Sequence, residues 1–368
     1  MGLIFFAAFC LIIVIQLCYY LFVFSRLAFY KSKPKNISQE YPVSVIICGK
    51  NEAKNLAVHL PGVLVQHYAT THEIIVVDDN STDETKGLLR EFTQSFKSLN
   101  VLELKQRAVG IVGKKFPLSM GIRTAKYETL LLTDADCFPA SENWIRLMQS
   151  AYHDKIEIVL GYGAYAKKQG MLNKLIRFET FHTAMQYLSF ALAKLPYMGV
   201  GRNLSYKREV FMRAKGFASI NHIPGGDDDL FIIKVANKHN TAIMIDKDAH
   251  TISEPKTTWN EWMRQKRRHY STSEYYPAKF KWLLGLYSFS HFCVYPLLIV
   301  AVSLSSWQWA LGAYLTRLIV LAVIWKLAMN KLNEKDLWSR FLFFDIWMFV
   351  YYIIMFPNLF RKTKNTWS

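Results

Sequence analysis

The sequence predicts an α/β domain with a mainly parallel sheet covered by helices, held between transmembrane helices. Three observations carry this. β-rich runs alternate with helical stretches from Tyr41 to about Trp282. Apolar stretches with few or no charges flank that region on both sides. Polar clusters stand where the β-rich runs end, as ligand sites do at the carboxyl ends of parallel strands. The 368 residues are 52% hydrophobic, with 45 Lys+Arg against 28 Asp+Glu and a formal charge of +17. That pairing suits a membrane protein with a basic cytoplasmic face and contacts to membrane lipids. The basic residues are scattered, without a recognition helix or an RNA-binding signature, so nucleic acid is not an expected partner.

Leu3 to Phe24 carries no charge and is long enough to cross a hydrocarbon core of about 30 Å as a helix. It lacks the basic start and the small-residue cleavage site of a signal peptide, so residues 1–30 read as an anchor. Arg26, Lys31, Lys33 and Lys35 follow it and set the next domain, 41–282, in the cytoplasm. Within that domain Val43–Cys48, Glu73–Asp78 and Thr129–Thr133 are strands, with shorter candidates at Glu157–Leu160 and Thr241–Ile245. Helices are expected after Asn55, after Asp83 and after Ser141, where cap residues precede apolar periodicity. Met171 to Leu195 repeats apolar residues at helical spacing, as either a membrane-surface helix or a core helix does.

Residues 283–360 form a second membrane region of two to three spans, with candidates at Leu283–Leu304, Trp309–Met329 and Phe341–Phe360, ahead of a basic tail, 361–368. Arg317, Lys326 and Asp345 lie inside these spans, where charged groups face protein or reach for the interface. Four full crossings from an outside N terminus leave Arg361, Lys362 and Lys364 outside, against the positive-inside rule. One segment is therefore re-entrant or interfacial, and the sequence does not say which. The five cysteines are spaced like neither a zinc site nor a disulfide framework.

The strand ends carry the chemistry. The first runs into Cys48-Gly49-Lys50-Asn51-Glu52 and the second into Asp78-Asp79-Asn80-Ser81-Thr82-Asp83. Gly113-Lys114-Lys115 lacks P-loop spacing but places a lysine where it can meet a diphosphate from the side. The third strand ends in Thr133-Asp134-Ala135-Asp136. Alternation points both carboxylates one way, and like charges that close repel unless a cation sits between them. A solvated turn is the competing reading of such a pair. Gly225-Gly226-Asp227-Asp228-Asp229 puts three acids before an apolar helix, suited either to the helix dipole or to a base whose proton affinity its neighbours raise. Trp262 to Tyr270, WMRQKRRHY, holds four cations in nine residues just before the membrane region. A solvated face, lipid phosphate and a nucleotide diphosphate all fit it.

In this order, VSVIICGKNEAKNL, VVDDNSTDET, GKKFPLSMGI, TDADC, GGDDDL and QKRRH resemble the motifs of glycosyltransferase family 2. These are membrane-anchored inverting enzymes of GT-A fold that include the cellulose, chitin and hyaluronan synthases. The resemblance runs from about Pro42 to Tyr270. It implies a GT-A (Rossmann-like) sheet with helices on both faces, Mg²⁺ or Mn²⁺ at Asp134 and Asp136, and a nucleotide-diphosphate sugar donor, a UDP-sugar first. Glu52, Asp78 or Asp79, Lys114 and Asp134 would contact the donor, with Gln265 and Arg268 on its diphosphate. The family's E-D-x-x-L spacing gives the catalytic base to Asp227, with Asp228 as the alternative. Asn203, in a loop Gly199–Ser205, and His269, where the synthases have Trp, would face the acceptor.

With Pro117 and Ser119 also departing from the pattern, the expected reaction is transfer of one sugar to a lipid-linked or membrane-proximal glycan, and processive polymerisation comes second. An integral protein of a bacterial inner or plasma membrane is implied, with the catalytic domain cytoplasmic. A membrane-anchored nucleotidyltransferase and a non-catalytic nucleotide-sugar-binding scaffold are the readings from other classes.

Overall fold

The computed structural model describes residues 1–31, 41–106, 110–153, 155–305 and 307–357. Lys33, Lys35, Arg361, Lys362, Lys364 and the end of the expected span Phe341–Phe360 lie outside the described residues.

Helix α1 (Gly2–Cys18) continues through a π-helical stretch, Tyr19–Phe24, into α2 (Ser25–Ala28). Strand–helix alternation follows through β1 (Val43–Gly49), α3 (Ala53–Leu64), β2 (His72–Asp79), α4 (Thr85–Ser95), β3 (Leu99–Leu104), α5 (Lys115–Thr124) and β4 (Thr129–Asp134). Next come β5 (Cys137–Pro139), α6 (Trp144–Gln149), β6 (Ile158–Leu160), β7 (Gly163–Tyr165) and the long α7 (Met171–Leu192). The domain closes with β8 (Leu204–Lys207), α8 (Arg208–Arg213), α9 (Asp229–Val235), β9 (Thr241–Ile243), β10 (Thr251–Ser253) and α10 (Trp259–Tyr270). Helices α11 (Ala278–Leu304), α12 (Trp307–Lys331) and α13 (Phe341–Met355) complete the chain.

The main sheet has seven strands in the order β3-β2-β1-β4-β8-β6-β9. It is mixed: β8 runs antiparallel to both β4 and β6, and every other neighbour pair is parallel. The expected loop Gly199–Ser205 thus gives way to a 3₁₀ turn, Gly201–Asn203, and the start of this antiparallel strand. A second sheet of three short strands, β5-β10-β7, packs beside the first. Val45, Ile47, Val76 and Leu131 are at most 1% exposed, as the continuous Val/Ile/Leu runs of a sheet covered on both faces require.

Helix α7 does not lie on a surface. Sixteen of its 22 residues are buried, because one side packs on β7 and β9 while the other packs on α2 and the π-helical turn of the first membrane helix. Its charged residues are paired: Arg177 with Glu334 and Asp336, and Glu179 with Lys266 of α10. Four helical segments are long and apolar enough to cross a membrane: Gly2–Ala28, Ala278–Leu304, Trp307–Lys331 and Lys335–Met355.

Candidate active site

Hydrogen bonds join the first two strand-end loops. Asn51, held at φ 56°, accepts from the Thr82 N–H at 2.8 Å, and its own N–H donates to Ser81 Oγ at 2.8 Å. The Asp83 carboxylate accepts from Thr85 and from the Ala53 N–H, so α3 and α4 start from one polar knot. Asp78 is fully buried and closes the turn by accepting from the Ser81 N–H at 3.1 Å; its second oxygen is buried without a partner. Asp79 is buried beside it. Glu52 is half-buried and accepts from Asn55. Burial, then the charges of Asp136 and Asp134, raise its pKa.

At the centre stands Lys114, the residue that precedes α5. Its ammonium reaches Asp134 at 2.8 Å and Asp227 at 3.2 Å, bringing together acids from β4 and from the loop before α9. Burial opposes that charge, but Asp134, Asp227 and Asp228 outweigh it and hold the lysine well above its usual range. Asp134 is partly exposed; desolvation opposes its charge, but Lys114 keeps its carboxyl below the ordinary value. Two glycines permit the approach. Gly113 has φ +75°, and a Cβ there would stand 2.7 Å from the Pro224 carbonyl; Gly226 has φ +89°, and a Cβ there would strike Leu230. The Lys115 ammonium, 1% exposed, turns away to the carbonyls of Ile223 and Val112 and fixes the same loop from behind.

The three consecutive acids do different work. Asp228 spends both oxygens on backbone, accepting from the N–H of Gly201 at 2.9 Å and of Asp229 at 2.8 Å, and so caps α9. Burial, followed by the charges of Asp227 and Asp229, pushes its pKa up to about 7. Asp229 is buried and accepts from the Leu230 N–H, the Thr272 hydroxyl and the Tyr276 hydroxyl, which ties the loop to the segment leading into α11. Asp227 faces Lys114 across the cleft.

Asp134, Asp136 and Cys137 present ligand atoms within 4.8 Å of one another. Cys137 is buried, and burial together with the Asp136 and Asp134 charges drives its thiol well above the usual range. It therefore stays protonated, sharing a hydrogen bond with Ser253 Oγ at 2.8 Å. A thiol in that state suits no hard cation, whereas the two carboxylates fit Mg²⁺ or Mn²⁺.

Arg202 escaped the sequence reading. Its guanidinium lies 4.4 Å from the Tyr165 ring centroid, donates to Ser253 Oγ at 3.1 Å, and helps to keep Asp134 ionised. The spacing offered no signal for it, because an arginine inside GVGRNLS reads as one more surface cation. Gln265 donates to the Tyr165 hydroxyl at 3.2 Å and holds a buried, unpartnered Oε1. Arg268 is exposed and also acts on Asp134. His269 is exposed, and desolvation together with the cations Lys266, Arg268, Arg202 and Lys114 lowers its pKa from the usual value.

Asn203, expected on the acceptor side, has its side chain engaged by the protein itself. It is fully buried, accepts from Trp144 Nε1 and donates to the carbonyls of Tyr162 and Ala249, so its side chain is consumed in joining α6 to the segments just before β7 and β10.

The sheet, the crossover order and the acids at the strand ends define a GT-A-like α/β fold flanked by membrane-length helices. Residues 44–214 match the model of glycosyl transferase family 2. The likeness is family-wide and does not single out the cellulose, chitin or hyaluronan synthases. Among solved structures, the mannosyltransferase PcManGT from Pyrobaculum calidifontis, in complex with GDP-Man and Mn²⁺, superposes with a TM-score of 0.59 at 18% identity, covering 94% of this chain and 99% of that one. This shows a shared fold. The probable glycosyltransferase YdaM of Bacillus subtilis is 25% identical over 284 residues, 72% of this chain and 65% of that protein. The glycosyltransferase AglE of Haloferax volcanii is 33% identical over 104 residues, 28% of this chain and 33% of that one. The chain thus spans less than two thirds of the length of these curated relatives.

Proposed function

We propose that the protein is a membrane-bound inverting glycosyltransferase that moves one sugar at a time from a nucleoside-diphosphate sugar, a UDP-sugar in the first instance, to a lipid-linked or membrane-proximal acceptor. The observation that carries this is Lys114 bridging Asp134 and Asp227 at the carboxyl ends of the sheet, in a loop whose next acid, Asp229, is tied to the segment entering α11.

In this reading Asp79 and Glu52 receive the nucleoside, while Lys114, Arg268 and Arg202 surround the diphosphate, with Gln265 at its edge. Asp134 and Asp136 would hold Mg²⁺ or Mn²⁺, which neutralises charge as it builds on the leaving diphosphate. Asp227 takes the proton of the acceptor hydroxyl as that oxygen attacks the anomeric carbon and the bond to the diphosphate breaks from the opposite face. Asp228, with both oxygens engaged, holds the loop. His269, exposed beside these cations, would meet the acceptor.

The test is to incubate the purified protein with Mn²⁺ and candidate nucleotide sugars. Free nucleoside diphosphate is expected, abolished by EDTA and by Asp136→Asn. Pyrophosphate would indicate nucleotidyl transfer, and donor binding without turnover would indicate a scaffold.

A further inference from the structure

Helix α13 carries membrane-grade hydropathy but does not follow the path of a membrane crossing. Its α-helical part, Phe341–Met355, has 15 residues and is about 22 Å long, so Lys335–Met355 reaches membrane length only together with the 3₁₀ turn Lys335–Arg340, which is held to the catalytic domain. The chain enters it from the side of the catalytic domain: Glu334 and Asp336 bind Arg177 of α7, and Phe344 stacks on Phe178 of α7 at 4.2 Å.

Asp345 then pairs with Arg317 of α12 and accepts from the Tyr295 hydroxyl of α11, and its carbonyl oxygen lies 3.1 Å from His291 Nε2. A crossing helix would continue away from the catalytic domain beyond this point. Instead Phe349 meets Phe292 and Tyr295, while Tyr352, seven residues after Asp345, lies against His291 again at 5.8 Å. Trp347 and Tyr351 reach Trp259, Trp262 and Tyr270 of α10. Both ends of α13 therefore touch catalytic-domain helices.

Its two faces are equally telling. Phe344, Met348, Tyr351 and Met355 are buried, and Leu342, Ile346, Val350 and Ile353 form an exposed stripe at helical spacing, apolar throughout. A helix resting on headgroups would show charge on its exposed side. This one has the surface of a helix in acyl chains.

We propose that Lys335–Met355 is re-entrant: it dips into the leaflet on the catalytic side, seats its exposed stripe against acyl chains, and returns, so that the chain crosses the bilayer three times through α1, α11 and α12. Charge placement agrees. The connection between α11 and α12, which lies beside Gly2, contains no Lys or Arg, whereas Arg26, Lys31, Lys279, Lys281, Lys331 and Lys335 all fall at the opposite ends of the helices. The basic tail then begins on the catalytic side, as the positive-inside rule asks.

The experiment labels full-length protein in intact cells with a membrane-impermeant maleimide, taking the five native cysteines as background. Ser305→Cys is placed between α11 and α12, Lys97→Cys in the catalytic domain, and Ser368→Cys in the tail. The expected result is that Ser368→Cys and Lys97→Cys behave alike and opposite to Ser305→Cys. This holds whichever way the protein faces, so a reversed orientation does not obscure it. Labelling of Ser368→Cys together with Ser305→Cys, while Lys97→Cys is protected, would establish a fourth crossing and overturn the proposal.

Discussion

At the scale of single residues, the three adjacent acids separate by what their oxygens already hold. Asp227→Asn leaves the diphosphate site in place, so nucleotide affinity should hold while transfer falls by roughly 10²- to 10⁴-fold, measured as kcat against nucleotide binding. Asp228 has a different signature. Its folded pKa of about 7 lies above the ordinary carboxyl value of 3.8, so folding takes up a proton between the two. Its contribution to stability is complete below about pH 4 and is lost as pH rises through 7. The apparent Tm of detergent-solubilised protein should therefore fall from pH 5 to pH 8, and Asp228→Asn should flatten that slope. An equal slope in the variant would assign the proton to another group. The gathering of Asp134, Asp136, Lys114 and Asp227 at one cleft was legible, because charge at a strand end or beside glycine is costly without a purpose. Arg202 and the buried role of Asn203 were not, since both depend on which strands meet and strand pairing leaves no mark on a seven-residue stretch.

Among elements, the long Val/Ile/Leu runs announced β1, β2 and β4, whose observed limits lie within about a residue of the expected ones. Strand β8 and the three-residue strands of the second sheet were hidden, because a segment that short has no measurable period and its partners lie far away in sequence. Helix α7 shows the same limit from the other direction: its apolar residues were plain, but burial on two sides cannot be read from one amphipathic pattern. What holds α10 to α7 is the buried pair Lys266–Glu179, each side chain under 10% exposed. Removing one partner leaves the other charge stranded, so Lys266→Ala should cost about 3–5 kcal/mol, whereas Lys266→Met with Glu179→Leu together should recover much of that loss. Thermal unfolding of both variants measures it. A single variant as stable as wild type would mean that Glu179 finds water or another cation.

For the whole molecule, the catalytic domain and the membrane helices share one interior. Phe178 lies against Trp325 and Phe344, the Tyr287 hydroxyl lies 2.9 Å from His182 Nε2, and Tyr162 donates to Glu334, so the outer face of α7 is completed by α11, α12 and α13 rather than by the α/β domain itself. The sequence suggested a soluble unit between two membrane regions, and in composition that division is real. In packing it is not, because α7 is apolar on the side that a free domain would turn to water. Cutting the chain to residues 41–277 would expose Phe178, Phe181 and Met185 and leave Arg177 without Glu334 and Asp336. A contiguous apolar patch of that kind drives association. The truncated domain should therefore aggregate or require detergent, read by size-exclusion chromatography with and without micelles, while the full chain stays monodisperse in the same detergent. A monodisperse detergent-free domain would show that α7 can close its outer face alone and that the membrane helices serve only as a tether.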